Sequence, residues 1–169
     1  MLRVYLSGCL AGRYATEVTA ERAEATKTLA RYGLRAVDPA ESQSILWGAG
    51  KKAKVTKQMK RKLMETMVIR DKGLIRRSDV LLLLTGDIIS DGSYKEVDFA
   101  QRCEIPVVIV SPKRYTEELM GWTNILVPKD HFFPNIQRAA SFINRKYVKD
   151  YENFRNYFNM AVRKAPKDK

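Results

Sequence analysis

Apolar residues in this chain gather into short unbroken runs, separated by longer stretches with helical spacing. Arg3-Val4-Tyr5-Leu6-Ser7-Gly8 is a β-branched and aromatic run closed by glycine, and it predicts a buried first strand. Residues 34–37 predict a short second strand halted by Asp38-Pro39. The run Val80-Leu81-Leu82-Leu83-Leu84 behind Asp79 has no polar member, as expected of a strand covered on both faces in a parallel sheet. Residues 106–110 read as another fully apolar strand, and a fifth is expected at 124–127.

Between the runs lie amphipathic segments. Residues 16–32 predict a helix with Ala23, Leu29 and Ala30 available for its inner face, and Gly33 follows as the stop. A long helix is expected over 58–77, with Met59, Leu63, Met67, Leu74 and Ile75 near helical spacing. Others are expected at 92–103 and 134–147, and the tail 149–169 reads as a terminal helix fraying into a basic end. Residues 41–57, with Gly48, Gly50 and several lysines, read as a surface loop or flap.

Strands alternating with helices imply a parallel sheet with right-handed crossovers. About five short strands suggest one α/β domain, a doubly wound sheet of flavodoxin-like or Rossmann-like type, spanning 1–148, with 149–169 as an appended tail. In such sheets ligands bind beyond the carboxyl ends of the strands, near the reversal in strand order. Chemistry is therefore expected after the first and third strands.

Composition narrows the setting. The 169 residues suit one domain with a sizeable core. Lys and Arg total 31 against 19 Asp and Glu, a net charge of +12 that favours anionic partners or simply a soluble surface. Two isolated cysteines, Cys9 and Cys103, form neither a disulfide framework nor a zinc spacing, so a reducing cytoplasm is the expected setting. No apolar stretch reaches spanning length and the start lacks a signal-peptide layout, so no membrane association is expected. His131 has no companion ligands; neither a metal nor a cofactor is expected.

Three clusters fall where a ligand would sit. The first runs from the opening strand into Gly8-Cys9-Leu10-Ala11-Gly12-Arg13. Glycines there let backbone N–H groups approach a ligand and Arg13 offers a fork for an anion, although a plain tight turn explains the glycines equally. The second is Arg70-Asp71 in the long helix, where an acid commonly just faces water. The third is Ser90-Asp91-Gly92-Ser93-Tyr94-Lys95-Glu96 at a strand-to-helix junction. Ser93 and Glu96 fit an S-x-x-E capping box, a sufficient structural explanation. The same helix start also presents donors suited to phosphate or ribose oxygens, with Glu96 reaching back over the ligand.

In order and spacing, VYLSGCLAGR, the Ile69-Arg70-Asp71 segment, SDVLLLL and DGSYKEVDFA resemble the nucleoside 2-deoxyribosyltransferase family over roughly residues 3 to 111. The G-[ST]-x-x-E-x-x-x-A signature reads here from Gly92 through Ala100. The same superfamily includes nucleoside 5′-monophosphate N-glycosidases and small proteins often found in phages, which the chain resembles too. The resemblance implies that Glu96 is a nucleophile forming a covalent glycosyl ester, that Tyr5 orients it, and that Asp71 hydrogen-bonds and protonates the departing base. It also implies a homo-oligomer. One departure stands out: six residues before Glu96 the transferases carry an aspartate for the sugar 5′-hydroxyl, whereas this chain has Ser90, with Asp91 beside it. The monophosphate glycosidases have serine there, which suits a phosphate better than a carboxylate does. Gly8, Cys9, Gly12, Arg13, Ser90, Asp91, Gly92 and Ser93 are thus expected to contact substrate.

Two rivals stand beside the enzyme: a nucleotide-binding module without turnover, and a nucleic-acid binder led by Lys51, Lys52, Lys54, Lys57, Lys60, Arg61 and Lys62. With almost no aromatic interleaving, that basic stretch reads rather as a solvated face. Trp47 is expected to pack its own loop.

Overall fold

β1 (Arg3–Gly8) is the centre from which the fold is built. It pairs in parallel with β2 (Arg35–Val37) on one side and β3 (Val80–Leu84) on the other. The computed structural model describes residues 1–8, 15–40, 56–85, 90–111, 127–150 and 152. Among these, β4 (Val107–Val110) pairs with β3 and β5 (Phe132–Phe133) with β4, giving an all-parallel sheet of order β2-β1-β3-β4-β5. The helices are α1 (Ala15–Arg31), α2 (Lys57–Arg76), α3 (Asp91–Arg102) and α4 (Ile136–Ile143), the last prolonged by a π-helical stretch over Asn144–Lys149.

Strand alternation divides the core in two. Val4 and Leu6 of β1, with Leu82 and Val108, pack against Leu29 of α1 and Ala139 and Ile143 of α4. Tyr5, Leu81, Leu83 and Ile109 face the other way, onto Ile75 of α2 and Val97 and Ala100 of α3. Every residue of β3 is buried, which explains its unbroken run: both faces are covered, and each such side chain contributes about 1.5–3 kcal/mol. The chain leaves β1 toward β2 and returns to β3 on β1's opposite side, so strand order reverses at β1 and a crevice opens there.

β2 ends at Val37, opposite Tyr5, and among the described residues no strand pairs with the far half of β1 on that side. The Leu2 carbonyl faces β2, accepting from Arg35 N–H; by the two-residue period the carbonyls of Leu6 and Gly8 face the same way. Arg22 of α1 takes the missing strand's place. Its guanidinium donates to the Leu6 carbonyl at 3.1 Å and the Gly8 carbonyl at 3.5 Å, and pairs with Asp38 at 2.5 Å. This pairing lets an arginine lie buried in the helix face that packs on the sheet.

Several details differ from the sequence expectation. The inner face of α1 is formed by Val18, Arg22, Ala25, Thr28 and Leu29, whereas Ala23 and Ala30 are exposed: alanines are too small to fix a helix's orientation, and the paired arginine decides it. Met59 is exposed on the first turns of α2. The fifth strand is Phe132–Phe133; Val127 lies in a bend and 124–126 lie outside the described residues. Residues 41–55, the tail at 151 and 153–169 also lie outside them. Gly33, at φ +69°, ends α1 as expected. No helix among the described residues is long and apolar enough to cross a membrane.

Candidate active site

At the carboxyl ends of β1 and β3, α2 and α3 stand apart and enclose a cleft of about 920 Å³. Gly8, the last residue of β1, contributes to its floor. A Cβ there would lie 2.8 Å from the Leu84 carbonyl oxygen of β3, so only glycine lets the two strand ends run this close. From α2 the lining is Met64, Met67, Val68, Asp71, Lys72 and Ile75, one stripe at helical spacing. From α3 and its approach come Ser90, Asp91, Gly92, Ser93, Lys95, Glu96, Asp98, Phe99 and Arg102.

The helix begins at Asp91 because Ser90, in extended backbone, accepts the Ser93 N–H on its hydroxyl at 3.3 Å. That corrects the expected capping box. Ser93 is the third helical residue, buried beside Ser90, and Glu96 turns away from the cap. Side chains on a helix tilt toward its N-terminus, so Glu96 points back toward the rim of the sheet.

What Glu96 meets there is β1. Tyr5 and Ser7 are two residues apart, hence on the same face of the strand and roughly 6.6 Å apart along it. Their hydroxyls straddle one carboxylate: Tyr5 donates to Glu96 Oε1 at 2.8 Å and Ser7 to Oε2 at 2.5 Å. Both donors are fully buried. Burial pushes the Glu96 carboxyl above the ordinary carboxylate range; the two hydroxyls pull it part of the way back, the charge of Asp71 adds to the rise and Arg22 opposes it. Burial first, then the charges of Glu96 and Asp71, push the Tyr5 phenol far upward, so it remains a donor at any physiological pH.

Asp71 is not a solvent-facing acid. Its side chain is 13% exposed and takes two bonds from Arg70 on Oδ1, at 2.7 Å and 3.0 Å. Arg70 also donates to the Pro39 carbonyl at 3.3 Å, which ties this turn of α2 to the end of β2. Phe99 presents its ring to Lys72 and Arg76, at 5.2 Å and 5.3 Å, closing the wall between the two helices.

The structure therefore brings together Tyr5, Asp71, Glu96, Gly8, Ser90, Asp91, Gly92 and Ser93, with Tyr5 beneath the cleft rather than lining it. Cys9, Gly12, Arg13 and Trp47, like Lys51, Lys52 and Lys54, lie outside the described residues. Lys57, Lys60, Arg61 and Lys62 are exposed on the first turns of α2. His131 is buried away from the cleft, its Nδ1 donating to the Val107 carbonyl at 2.8 Å. Sequence reasoning missed Ser7, Arg22 and the Met64–Met67–Val68 wall. For Ser7 a signal existed: a lone hydroxyl in an apolar strand, two residues from a tyrosine.

No protein-family model and no curated protein matches the sequence. Among solved structures, the chain is similar to a 2-deoxyribosyltransferase from Bacillus psychrosaccharolyticus, at 16% identity and a TM-score of 0.56 over 82% of this chain and 90% of that one. This likeness is one of fold. A CMP N-glycosidase of Clostridium botulinum matches at 12% identity over 84% of this chain and 98% of that chain, with a TM-score of 0.47. A conserved protein from Enterococcus faecalis V583 matches at 19% identity over 84% and 87%, with a TM-score of 0.48.

Proposed function

We propose that this protein breaks the N-glycosidic bond of nucleosides, deoxynucleosides or their 5′-monophosphates, with Glu96 attacking the anomeric carbon and forming a glycosyl ester. One observation carries the reading. A half-buried carboxylate at the switch point of a doubly wound sheet is held on both oxygens by Tyr5 and Ser7 and faces a cleft that it shares with Asp71. A carboxylate kept at fixed orientation, partly stripped of water, has the disposition required of a nucleophile in retaining glycoside chemistry. The deoxyribosyltransferase that shares the fold acts through the same class of bond. Asp71 is the acid that bonds to the departing base, and the apolar wall of Met64, Met67 and Val68 receives that base. The same reading implies a homo-oligomer.

The acceptor decides between transfer and hydrolysis. Ser90 and Ser93 at the start of α3 supply hydroxyls, and the helix N-terminus a partial positive charge, which favours a 5′-phosphate over a hydroxyl at that end of the cleft. This points to hydrolysis of a monophosphate, while the exposed Asp91 beside them keeps the nucleoside reaction open. Incubating deoxynucleosides and their monophosphates with and without a second free base separates the two: base exchange marks a transferase, and free sugar or sugar phosphate without an acceptor marks a hydrolase. Glu96→Ala should lower base release by at least about 10³-fold, with an unchanged circular dichroism spectrum. Turnover surviving in that variant would overturn the assignment.

A further inference from the structure

The clamp on Glu96 has two halves, and they are not equivalent. Tyr5 holds Oε1 at 2.8 Å, and Ser7 holds Oε2 at 2.5 Å, the shorter of the two bonds. Ser7 is fully buried, so its hydroxyl is shielded from water on the donor side of this bond. Both hydroxyls approach from the sheet, and the cleft side of the carboxylate is left to the substrate.

We propose that Ser7 is a positioning residue for the second half of the reaction: its hydrogen bond stabilises the Glu96 carboxylate as that group leaves the sugar, and so sets how fast the glycosyl ester is consumed. The inference rests on the reading of Glu96 as nucleophile. In the first step a Glu96 oxygen bonds to C1′ while the C1′–N bond breaks. The electron pair departs on the base, which takes up a proton. In the second step a water oxygen, or a nitrogen of an incoming base, bonds to C1′ and gives up a proton. The ester C–O bond breaks and its electron pair returns to Glu96 as carboxylate. A carboxylate accepts hydrogen bonds more strongly than an ester does, so the Ser7 bond weakens in the first step and strengthens in the second. It restrains formation of the ester and promotes its breakdown.

Ser7→Ala, and Ser7→Cys as a variant with a weaker donor of similar size, are compared with the wild type by rapid-quench release of base, with melting curves to verify folding. The substrate is whichever nucleoside or monophosphate the wild type cleaves. Ser7→Ala should give a fast release equivalent to the enzyme present, followed by turnover slower by about tenfold or more. Intact-mass spectrometry should show a sugar adduct on Ser7→Ala and none on the Ser7→Ala/Glu96→Gln double variant, with Ser7→Cys intermediate in rate. Equal slowing of both phases, or no adduct, overturns the role given to Ser7. Independently of activity, ¹³C NMR titration of the Glu96 carboxyl, identified by its loss in Glu96→Gln, should show a midpoint about one pH unit higher in Ser7→Ala. An unmoved midpoint overturns the hydrogen bond itself. A wild type that releases no base from any substrate, with the midpoint still raised in Ser7→Ala, overturns the nucleophile reading and leaves only the clamp.

Discussion

At Glu96 partial burial acts on a group that can ionise, and its effect has a sign. Because burial raises its carboxyl above the ordinary range, the folded protein holds a proton there that the unfolded chain has already lost. Stability contributed by this site is therefore full at low pH and falls as pH rises from the ordinary carboxylate range through the raised value. Glu96→Gln should remove that loss: its Tm should exceed the wild type's by about 3 °C at pH 7 and by close to nothing at pH 4, measured by scanning calorimetry. Base release should run the opposite way, since attack needs the ionised form. The role expected of Glu96 was suggested by spacing and resemblance, but its partners were only half legible. The motif gives Tyr5 a role and Ser7 none; the two-residue period of a strand puts Ser7 on the same face as Tyr5, but which helix that face meets is decided by tertiary packing.

At the level of elements, the regions easiest to read were those where one local signal sufficed. β3 and β4 are unbroken apolar runs, and α1 ends at a glycine with positive φ. The start of α3 was also legible, although its cap is Ser90 rather than the Ser93–Glu96 box. Elements fixed by tertiary contacts were harder. β5 is two residues long and exists because β4 offers it an edge. The inner face of α1 is set by Arg22, a residue that hydropathy assigns to solvent. Since Arg22 serves the two carbonyls left bare beyond β2 and neutralises Asp38, Arg22→Met should cost about 3 kcal/mol in chemical denaturation. Adding Asp38→Asn should recover part of that loss, because it removes the carboxylate stranded by the first change.

Over the whole molecule, the net charge is +12, and four exposed cations lie on the first turns of α2, the helix that further along lines the cleft whose proposed substrates include dianions. Attraction of this kind acts on encounter and is screened by salt. Raising the salt from 50 to 500 mM should lower kcat/KM for a monophosphate by about threefold or more and leave that for the uncharged nucleoside nearly unchanged. The sheet that organises these charges also limits what the site can become. With the Leu84 carbonyl oxygen 2.8 Å from any Cβ placed on Gly8, that part of the cleft's base must remain bare peptide. On the proposed reading, discrimination between large and small bases falls, among the described residues, to the two helical walls, and efforts to retune it belong at Met64, Met67 and Val68, where side chains can change size without prising the strands apart.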